Sequence, residues 1–220
     1  MISHKHKAIF VHIPKSAGTS VGTALSVYSD GDDWGMQDHR AIRHLSPISA
    51  LEARNFFSRT NYEIIYRRLR DQLILHRQYP TKEQFASYYK FTFVRNSWAR
   101  VYSWYTNVMD DQRHMSRYRI PENASFKWFV DNRLSTLKDQ LYYITDANGA
   151  IGVDFIGRYE NLAADYAEVC TALGIRDSSL PNRNRSIVPG HIEHYDDYLI
   201  NVVRQRYAKD VEFFGYSFEE

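Results

Sequence analysis

Cysteine, proline and glycine are scarce in this chain of 220 residues, which contains 1, 6 and 10 of them respectively. Cys170 has no second cysteine to pair with, and its apolar neighbours predict a buried, unreactive thiol. Internal repeats, low-complexity tracts and flexible linkers are also missing. With 44% hydrophobic and 25% charged residues, these absences exclude a disordered or collagen-like chain and favour a single folded domain over residues 1–220.

No strong charge of either sign is present, because 28 Lys and Arg oppose 26 Asp and Glu for a net charge of +2. This balance excludes a general nucleic-acid-binding protein, so any anion site must be local. Long apolar runs are missing as well. The stretch over 8–11 is shorter than the ~7 residues of a signal h-region and the ~18 residues of a membrane span. We therefore expect a cytoplasmic protein without a membrane span, and the sequence makes no prediction of its oligomeric state.

A short apolar segment, a loop of small residues and a helix follow one another near the start of the chain. Residues 8–13 have the character of a buried strand, and residues 21–28 carry apolar side chains at helical spacing. The loop over 15–20 directs backbone N–H groups and the positive end of the helix dipole at one point. This arrangement predicts a phosphate or sulfate site. Lys15 supplies a mobile positive charge there, and hydroxyl donors come from Ser16, Thr19 and Ser20.

A second unit of the same kind begins with a strand candidate over 91–95. A capping pair at 96–97 leads directly into a helix over 98–109. If the two strands lie in one parallel sheet, their carboxyl ends open on the same crevice, where ligands of α/β sheets bind. Arg95 and Ser103 then form a second anion site, because a guanidinium fork matches a phosphate and a hydroxyl completes the shell. Two such sites predict a ligand with two separated phosphates.

The rest of the sequence alternates helical patterns with loops and one further strand, over 153–159. These elements favour an α/β fold in which a parallel sheet is flanked by helices. In the helix over 62–75 we expect the arginines to face solvent; these are Arg67, Arg68 and Arg70. Predicted helices cover 46–57, 62–75, 125–137, 161–173 and 195–213, and predicted loops cover 29–38, 110–124 and 176–194.

Two segments resemble a known family. Residues 10–20, FVHIPKSAGTS, are similar to the 5′-phosphosulfate loop of the carbohydrate-type sulfotransferases that use 3′-phosphoadenosine 5′-phosphosulfate (PAPS). Residues 91–105, FTFVRNSWARVYSWY, resemble that family's 3′-phosphate motif, F-V-R-[DN]-P-x-x-R-x-x-S-x-Y, with Ser97 in place of the proline. Further similarities follow in the same order over 154–162, 180–186 and 210–216, so the resemblance covers most of the chain.

The resemblance implies a P-loop-like α/β fold in one sulfotransferase domain, with substrate-side insertions over about 29–89 and 110–150. It implies that one set of residues binds the 5′-phosphosulfate: Lys15, Ser16, Ala17, Gly18, Thr19 and Ser20. A second set would bind the 3′-phosphate and pack beside the adenine: Arg95, Ser103 and Tyr159.

The chemistry implied by the resemblance is in-line attack of an acceptor hydroxyl on sulfur. Lys15 is placed to stabilise the charge that develops on the leaving phosphate, as a positioned cation does in phosphoryl transfer. No metal is expected, because the sequence has no dense His, Cys and carboxylate cluster. The acceptor is expected to be a carbohydrate hydroxyl, on a glycan or glycolipid, since rings and arginines in the substrate-side segments suit a stacked sugar.

A general base is needed to take the proton of the acceptor, and histidine suits this role because its pKa lies near neutrality. His39 is the first candidate, since it follows the first helix and its loop, and similar family members carry a histidine in this neighbourhood. His44 is the second. Asp38 or Glu52 would orient or replace the histidine, and the sequence does not separate these alternatives.

Two other functions remain open from the residues alone. A P-loop-like nucleotide kinase would need the Walker A pattern G-x-x-x-x-G-K-[ST] and an acidic magnesium ligand after a strand. Here the lysine precedes the glycine, and no such acidic ligand follows a strand. A non-catalytic module that binds a nucleotide or sulfate would keep the anion loop without the base.

Overall fold

Four strands form one sheet in the computed structural model of this chain, which describes residues 1–26, 38–47, 59–74, 77–180 and 190–219. Their bounds are β1 Ile2–Ser3, β2 Ala8–Val11, β3 Tyr89–Val94 and β4 Phe155–Arg158. The strands lie in the order β1-β2-β3-β4, with β2, β3 and β4 parallel and β1 antiparallel at the edge. The predicted parallel sheet is therefore confirmed for its three longer strands. The two-residue strand β1 is too short to leave a sequence pattern.

Helices surround this sheet. In the described part of the chain they are α1 Gly18–Ser26, α2 Ile42–Leu45, α3 Arg59–Leu73, α4 Lys82–Ser87, α5 Ser97–Met109, α6 Gln112–Tyr118, α7 Phe126–Arg133, α8 Gln140–Ile144, α9 Leu162–Ala172, α10 Asp197–Arg206 and α11 Ala208–Phe214. Short 3-10 helices cover Leu134–Thr136, Tyr159–Asn161 and His191–His194.

The core lies on both faces of the sheet. Alternate residues of β2 point to opposite sides, so Ile9 and Val11 join one buried cluster and Ala8 and Phe10 join the other. The first cluster also contains buried residues of α5, α8, α10 and α11, whereas the second contains those of α1 and α9. Both faces of every longer strand are thus covered, as expected for parallel strands joined by helical crossovers.

Short loops connect β2 to α1 and β3 to α5, so both helices begin at the carboxyl-terminal edge of the parallel strands. The side chain of Asn96 accepts hydrogen bonds from the backbone N–H groups of Trp98 and Ala99, at 3.0 and 3.3 Å. This is the cap that the sequence predicts for α5. Because β2 and β3 are parallel, with Phe10 beside Phe91, the loops after the two strands are neighbours.

Two sequence predictions on the later half of the chain are wrong in detail. Residues 110–124, predicted as a loop, contain the helix α6. Its N-terminus is capped by Asp111, which accepts a 2.8 Å hydrogen bond from the Arg113 N–H, and Met115 packs it into a buried cluster. The predicted helix over 195–213 is interrupted at Tyr207, which separates α10 from α11 in the chain. Its ring is buried, and its hydroxyl donates to the carbonyls of Leu134 and Leu137.

The prediction that the three arginines of α3 face solvent is also wrong for two of them. Arg67 donates to Nδ1 of His44 at 3.2 Å, and Arg68 donates to the Ser46 carbonyl at 2.8 Å. Apolar side chains point outward instead, since Leu69 is 53% and Leu73 is 73% exposed. Hydrogen-bond acceptors at the neighbouring helix α2 therefore determine where these arginines point, and the hydrophobic periodicity of α3 does not. Most of the predicted helix over 46–57 and of the predicted loop over 29–38 lies outside the described residues.

Gly157 of β4 lies close to neighbouring side chains, and a mutation at this position tests the packing of the sheet. A Cβ on Gly157 would lie 2.5 Å from Cε1 of Phe93 and 3.1 Å from Cβ of Asp165. We therefore expect Gly157→Ala to lower the free energy of unfolding by about 1–3 kcal/mol, because overpacking forces the ring of Phe93 to move. Urea denaturation measures this.

The matched control is Gly22→Ala, at a helical position where a Cβ meets only the flexible end of Met1, at 3.2 Å. This variant should be unchanged or more stable by about 0.5–1 kcal/mol, because alanine favours the helix. Equal stability of the two variants would contradict the packing described for β4.

Candidate active site

A cavity of about 420 Å³ opens at the carboxyl ends of β2 and β3. Of the ten residues that the sequence proposes for a site, all except Ser16 line it. These are Lys15, Ala17, Gly18, Thr19, Ser20, His39, Arg95, Ser103 and Tyr159, and the other described lining residues are His12, Pro14, Trp104, Asn107, His114, Arg117, Tyr118, Thr136, Leu137 and Tyr143. The two sequence motifs therefore meet at one cavity.

The loop between β2 and α1 has an unusual backbone. Lys15 and Ala17 adopt left-handed conformations, with φ of 68° and 63°, which residues other than glycine seldom adopt. Position 18 accommodates only glycine, because a Cβ there would lie 1.7 Å from the imidazole of His12. Such strain persists where surrounding contacts impose it, and it is concentrated at functional sites.

The pKa of Lys15 is lower than that of an ordinary lysine. Desolvation lowers the pKa of its ammonium to about 8, and repulsion from Arg95 contributes in the same direction. In the part of the chain that the structure describes, neither cation is within ion-pair distance of a carboxylate. Both charges are therefore available to an anion in the cavity, and a bound anion would raise the pKa of Lys15 again.

Arg95 is the second cation, and protein groups fix its guanidinium. It lies over the ring of Tyr159 at 4.0 Å, and its Nη1 donates to the Lys15 carbonyl at 3.3 Å. Its Nε is buried without a hydrogen-bond partner. Burial lowers the pKa of this guanidinium, which nevertheless stays charged at neutral pH. An unsatisfied buried donor at this position is suited to an anionic ligand.

Gln140, at the start of α8, joins the two loops. Its Oε1 accepts hydrogen bonds from the Arg95 N–H at 2.8 Å and from the Ser16 hydroxyl at 3.3 Å, while its Nε2 donates to the Arg95 carbonyl at 2.8 Å. Asp210 in α11 holds this helix by accepting from the N–H groups of Gln140 and Leu141, at 2.6 and 3.0 Å. The predicted donor Ser16 thus faces the protein interior rather than the cavity.

Arg100 supports the first of these loops and the segment before α8. This side chain is 1% exposed, and it donates to the Pro14 and Lys138 carbonyls, each at 2.9 Å. One turn further along α5, Ser103 reaches the cavity. Within the second motif, Arg100 therefore positions the first loop, while Arg95 and Ser103 face the cavity.

His39 lines the cavity beside His12, and the rings of the two histidines are 4.4 Å apart. Its Nδ1 lies 3.3 Å from the His12 carbonyl oxygen, a contact that requires the proton on Nδ1 and leaves the lone pair of the neutral ring on Nε2. Desolvation lowers the pKa of His39 below its ordinary 6.5. At neutral pH this imidazole is therefore uncharged and able to accept a proton.

The alternatives to His39 occupy other positions. His44 is buried outside the cavity, where its Nδ1 accepts from the Ala41 N–H at 3.1 Å. Burial and the charge of Arg67 lower its pKa to about 3. Asp38 is buried in an ion pair with Arg40 at 2.6 Å. Glu52 lies outside the described residues.

The far wall is made by α5 and α6, and most of it was missed from the sequence. Arg117 was not singled out, because its segment was predicted to be a loop. The rings of Trp104 and Tyr118 line the same wall. A recognisable helix cap at Asp111 is the signal in the sequence that would have indicated α6.

Comparison with known proteins identifies the family. The sequence profile of the sulfotransferase family matches residues 1–217. The chain belongs to the sulfotransferase family. This confirms the resemblance seen in the two motifs and makes the protein an enzyme of sulfuryl transfer.

Two individual proteins are similar to this sulfotransferase. An uncharacterized protein of Archaeoglobus fulgidus is 35% identical over 96 residues, which cover 43% of this chain and 74% of that protein. The crystal structure of a sulfotransferase from Alicyclobacillus acidocaldarius aligns over 92% of both chains with 16% identity and a TM-score of 0.40. Within its described residues, this sulfotransferase has no helix of the length and apolar character needed to cross a membrane.

Gln140 provides a test of the site. Gln140→Ala removes three hydrogen bonds and leaves the backbone of Arg95 unsatisfied, at a cost of about 1–3 kcal/mol for each buried group. We expect Tm to fall by several degrees and the Kd for adenosine 3′,5′-bisphosphate to rise at least tenfold. Differential scanning calorimetry measures the first change, and titration calorimetry well below Tm measures the second.

Gln84→Ala is the matched control, because Gln84 also bonds to backbone, at the exposed N-terminus of α4. Its loss should leave the bisphosphate affinity unchanged. If Gln140→Ala binds the bisphosphate as tightly as the wild type, Gln140 does not position the two loops.

Proposed function

We propose that this sulfotransferase transfers the sulfuryl group of PAPS to a hydroxyl of a carbohydrate acceptor. The observation that carries the proposal is the pair of cations on neighbouring strand ends, Lys15 and Arg95, which line one cavity without a carboxylate partner in the described part of the chain. PAPS has two separated anionic ends, and it is the donor that proteins of this family generally use.

In the proposed complex, the loop over 15–20 binds the 5′-phosphosulfate through backbone N–H groups, the ammonium of Lys15 and the hydroxyls of Thr19 and Ser20. Arg95 and Ser103 bind the 3′-phosphate. Tyr159 lies under the Arg95 guanidinium, which places an aromatic ring beside this second site, where the adenine would pack.

The proposed reaction is an in-line displacement at sulfur. A bond forms from the acceptor oxygen to sulfur as the bond from sulfur to the bridging phosphate oxygen breaks. The electron pair of the broken bond passes to that phosphate oxygen, where Lys15 stabilises the developing charge. The proton of the acceptor hydroxyl passes to Nε2 of His39. The products are a sulfate ester and adenosine 3′,5′-bisphosphate.

The geometry of His39 supports its role as the base. Its Nδ1 proton is directed at a backbone carbonyl, which fixes the tautomer, and its lowered pKa keeps it unprotonated at neutral pH. His44 is not the proposed base, because its Nδ1 already accepts hydrogen bonds from the Ala41 N–H and from Arg67.

Titration calorimetry with adenosine 3′,5′-bisphosphate, ADP and magnesium-ATP tests the donor. We expect the bisphosphate to bind most tightly, because it alone of the three offers a 3′-phosphate to Arg95. Arg95→Ala should weaken it at least a hundredfold, as expected for loss of a desolvated guanidinium–phosphate contact. Arg204→Ala, at an exposed arginine of α10, should have no effect. Preference for magnesium-ATP would instead favour a P-loop-like kinase.

The pH dependence of kcat/KM tests Lys15 and His39 together. Protonation of His39 removes the base, so activity should rise with an apparent pKa below 6.5, because the His39 pKa is lowered. Deprotonation of Lys15 removes the cation, so activity should fall with an apparent pKa of about 8. Lys15→Arg should move the alkaline limb beyond pH 10, because a guanidinium does not titrate there.

His39→Ala is the companion variant for the acid limb. We expect transfer to fall by about 10²–10⁴-fold, the usual contribution of a general base, while bisphosphate affinity is retained. An unchanged transfer rate would reject His39 as the base. Bisphosphate binding without transfer to any acceptor by the wild type would favour a non-catalytic binding module.

A further inference from the structure

A third cation, Arg117, lines the cavity together with Lys15 and Arg95. Among the described lining residues there is no aspartate or glutamate. In the proposed complex, the 5′-phosphosulfate and the 3′-phosphate engage the first two cations. One positive charge of the cavity is then left without an anion.

Arg117 differs from its neighbours in its contacts. Arg113 of the same helix is 92% exposed in its side chain and pairs with Asp111 at 3.4 Å, and Arg133 donates to the carbonyls of Tyr118 and Arg119 at 2.8 and 2.9 Å. For Arg117, the described part of the chain provides no carboxylate within 4 Å, and its guanidinium lies 5.7 Å from the ring of Tyr118. Of the three arginines, Arg117 is the one that lines the cavity, where its side chain is exposed.

The helix that carries Arg117 is held in place at both ends. Asp111 caps its N-terminus, and Arg133 binds the two carbonyls at its C-terminus. Between them, Met115 is buried in a cluster with Val108, Ile120 and Phe129. Arg117 is therefore presented to the cavity by a helix whose backbone is fixed.

The surfaces beside Arg117 suit a sugar ring. Trp104 and Tyr118 lie edge to face, with centroids 5.6 Å apart, and the Trp104 indole is fixed by a 3.1 Å hydrogen bond to Oγ1 of Thr136. Asn107 lines the same region and offers both a donor and an acceptor. Rings with a few convergent polar groups are the usual lining of a carbohydrate site.

We infer that the acceptor is an anionic sugar, whose carboxylate or phosphate binds Arg117 while its ring packs against Trp104 and Tyr118. This inference rests on the proposed sulfuryl transfer and adds the charge of the substrate to it. Arg117 is a specificity-determining residue in this arrangement, because a neutral sugar would offer no charged partner to its guanidinium.

The experiment compares acceptors that differ only in the group at C6, which is charged in two of them and neutral in the third. Transfer from PAPS is measured with 4-nitrophenyl β-D-glucuronide, 4-nitrophenyl β-D-glucoside and the 6-phosphate of that glucoside, and binding of the same three compounds to the enzyme–bisphosphate complex is measured by calorimetry. We expect at least one charged acceptor to exceed the neutral glucoside tenfold or more in binding or in kcat/KM. The two charged acceptors distinguish a carboxylate from a phosphate as the recognised group.

Arg117→Gln should remove this preference, chiefly through KM, and leave the neutral glucoside unaffected. Arg113→Gln is the matched control on the same helix and should keep the preference. Bisphosphate affinity should be unchanged in both variants. If Arg117→Gln weakens the bisphosphate as Arg95→Ala does, Arg117 belongs to the donor site and the inference is wrong.

The remaining outcomes separate this inference from the proposed function. Absence of any preference for the charged sugars, in binding and in transfer, overturns the inference while leaving the donor site intact. Failure of the wild type to bind the bisphosphate overturns the proposed function itself. A preference that persists in Arg117→Gln assigns recognition of the charge to another residue and also overturns the inference.

Discussion

The side-chain amide of Gln140 is the contact on which the candidate site depends. It bonds to Ser16 in one loop and to both backbone groups of Arg95 in the other, and it holds two cationic loops together although their charges repel. The repulsion appears in the pKa of Lys15, which Arg95 helps to lower. Neutral hydrogen bonds thus assemble a site whose charges become favourable only when an anion lies between them.

Local features of the sequence were sufficient to predict the position of this site. The strand before Lys15, the small loop and the helix behind it are contiguous, and each has its own pattern. The same holds for the strand that ends at Arg95 and for the Asn96 cap. Because parallel strands align their carboxyl ends, the two local patterns bring seven of their eight candidate residues to one cavity, and Ser16, which turns inward, is the exception. His39 and Tyr159 line the same cavity but lie in neither pattern, and only the family resemblance suggested them.

The parts that the sequence did not predict depend on distant partners. Gln140 bonds to Ser16 across 124 positions of the chain, a contact that no periodicity records. Arg67 turns toward the protein because His44 offers an acceptor on another helix, which reverses the amphipathic pattern. The polar helix α6 needs the buried Met115 for its packing, and a single apolar residue in a polar segment resembles a loop.

One contact of this assembly comes from near the end of the chain. Asp210 is fully buried in α11 and accepts hydrogen bonds from the backbone of Gln140 and Leu141. Through Gln140, this one carboxylate helps to fix both loops, although it follows both of them in the sequence. The position of both loops of the candidate site therefore depends on the packing of α11 against α8, although α11 lies far from either loop in the sequence.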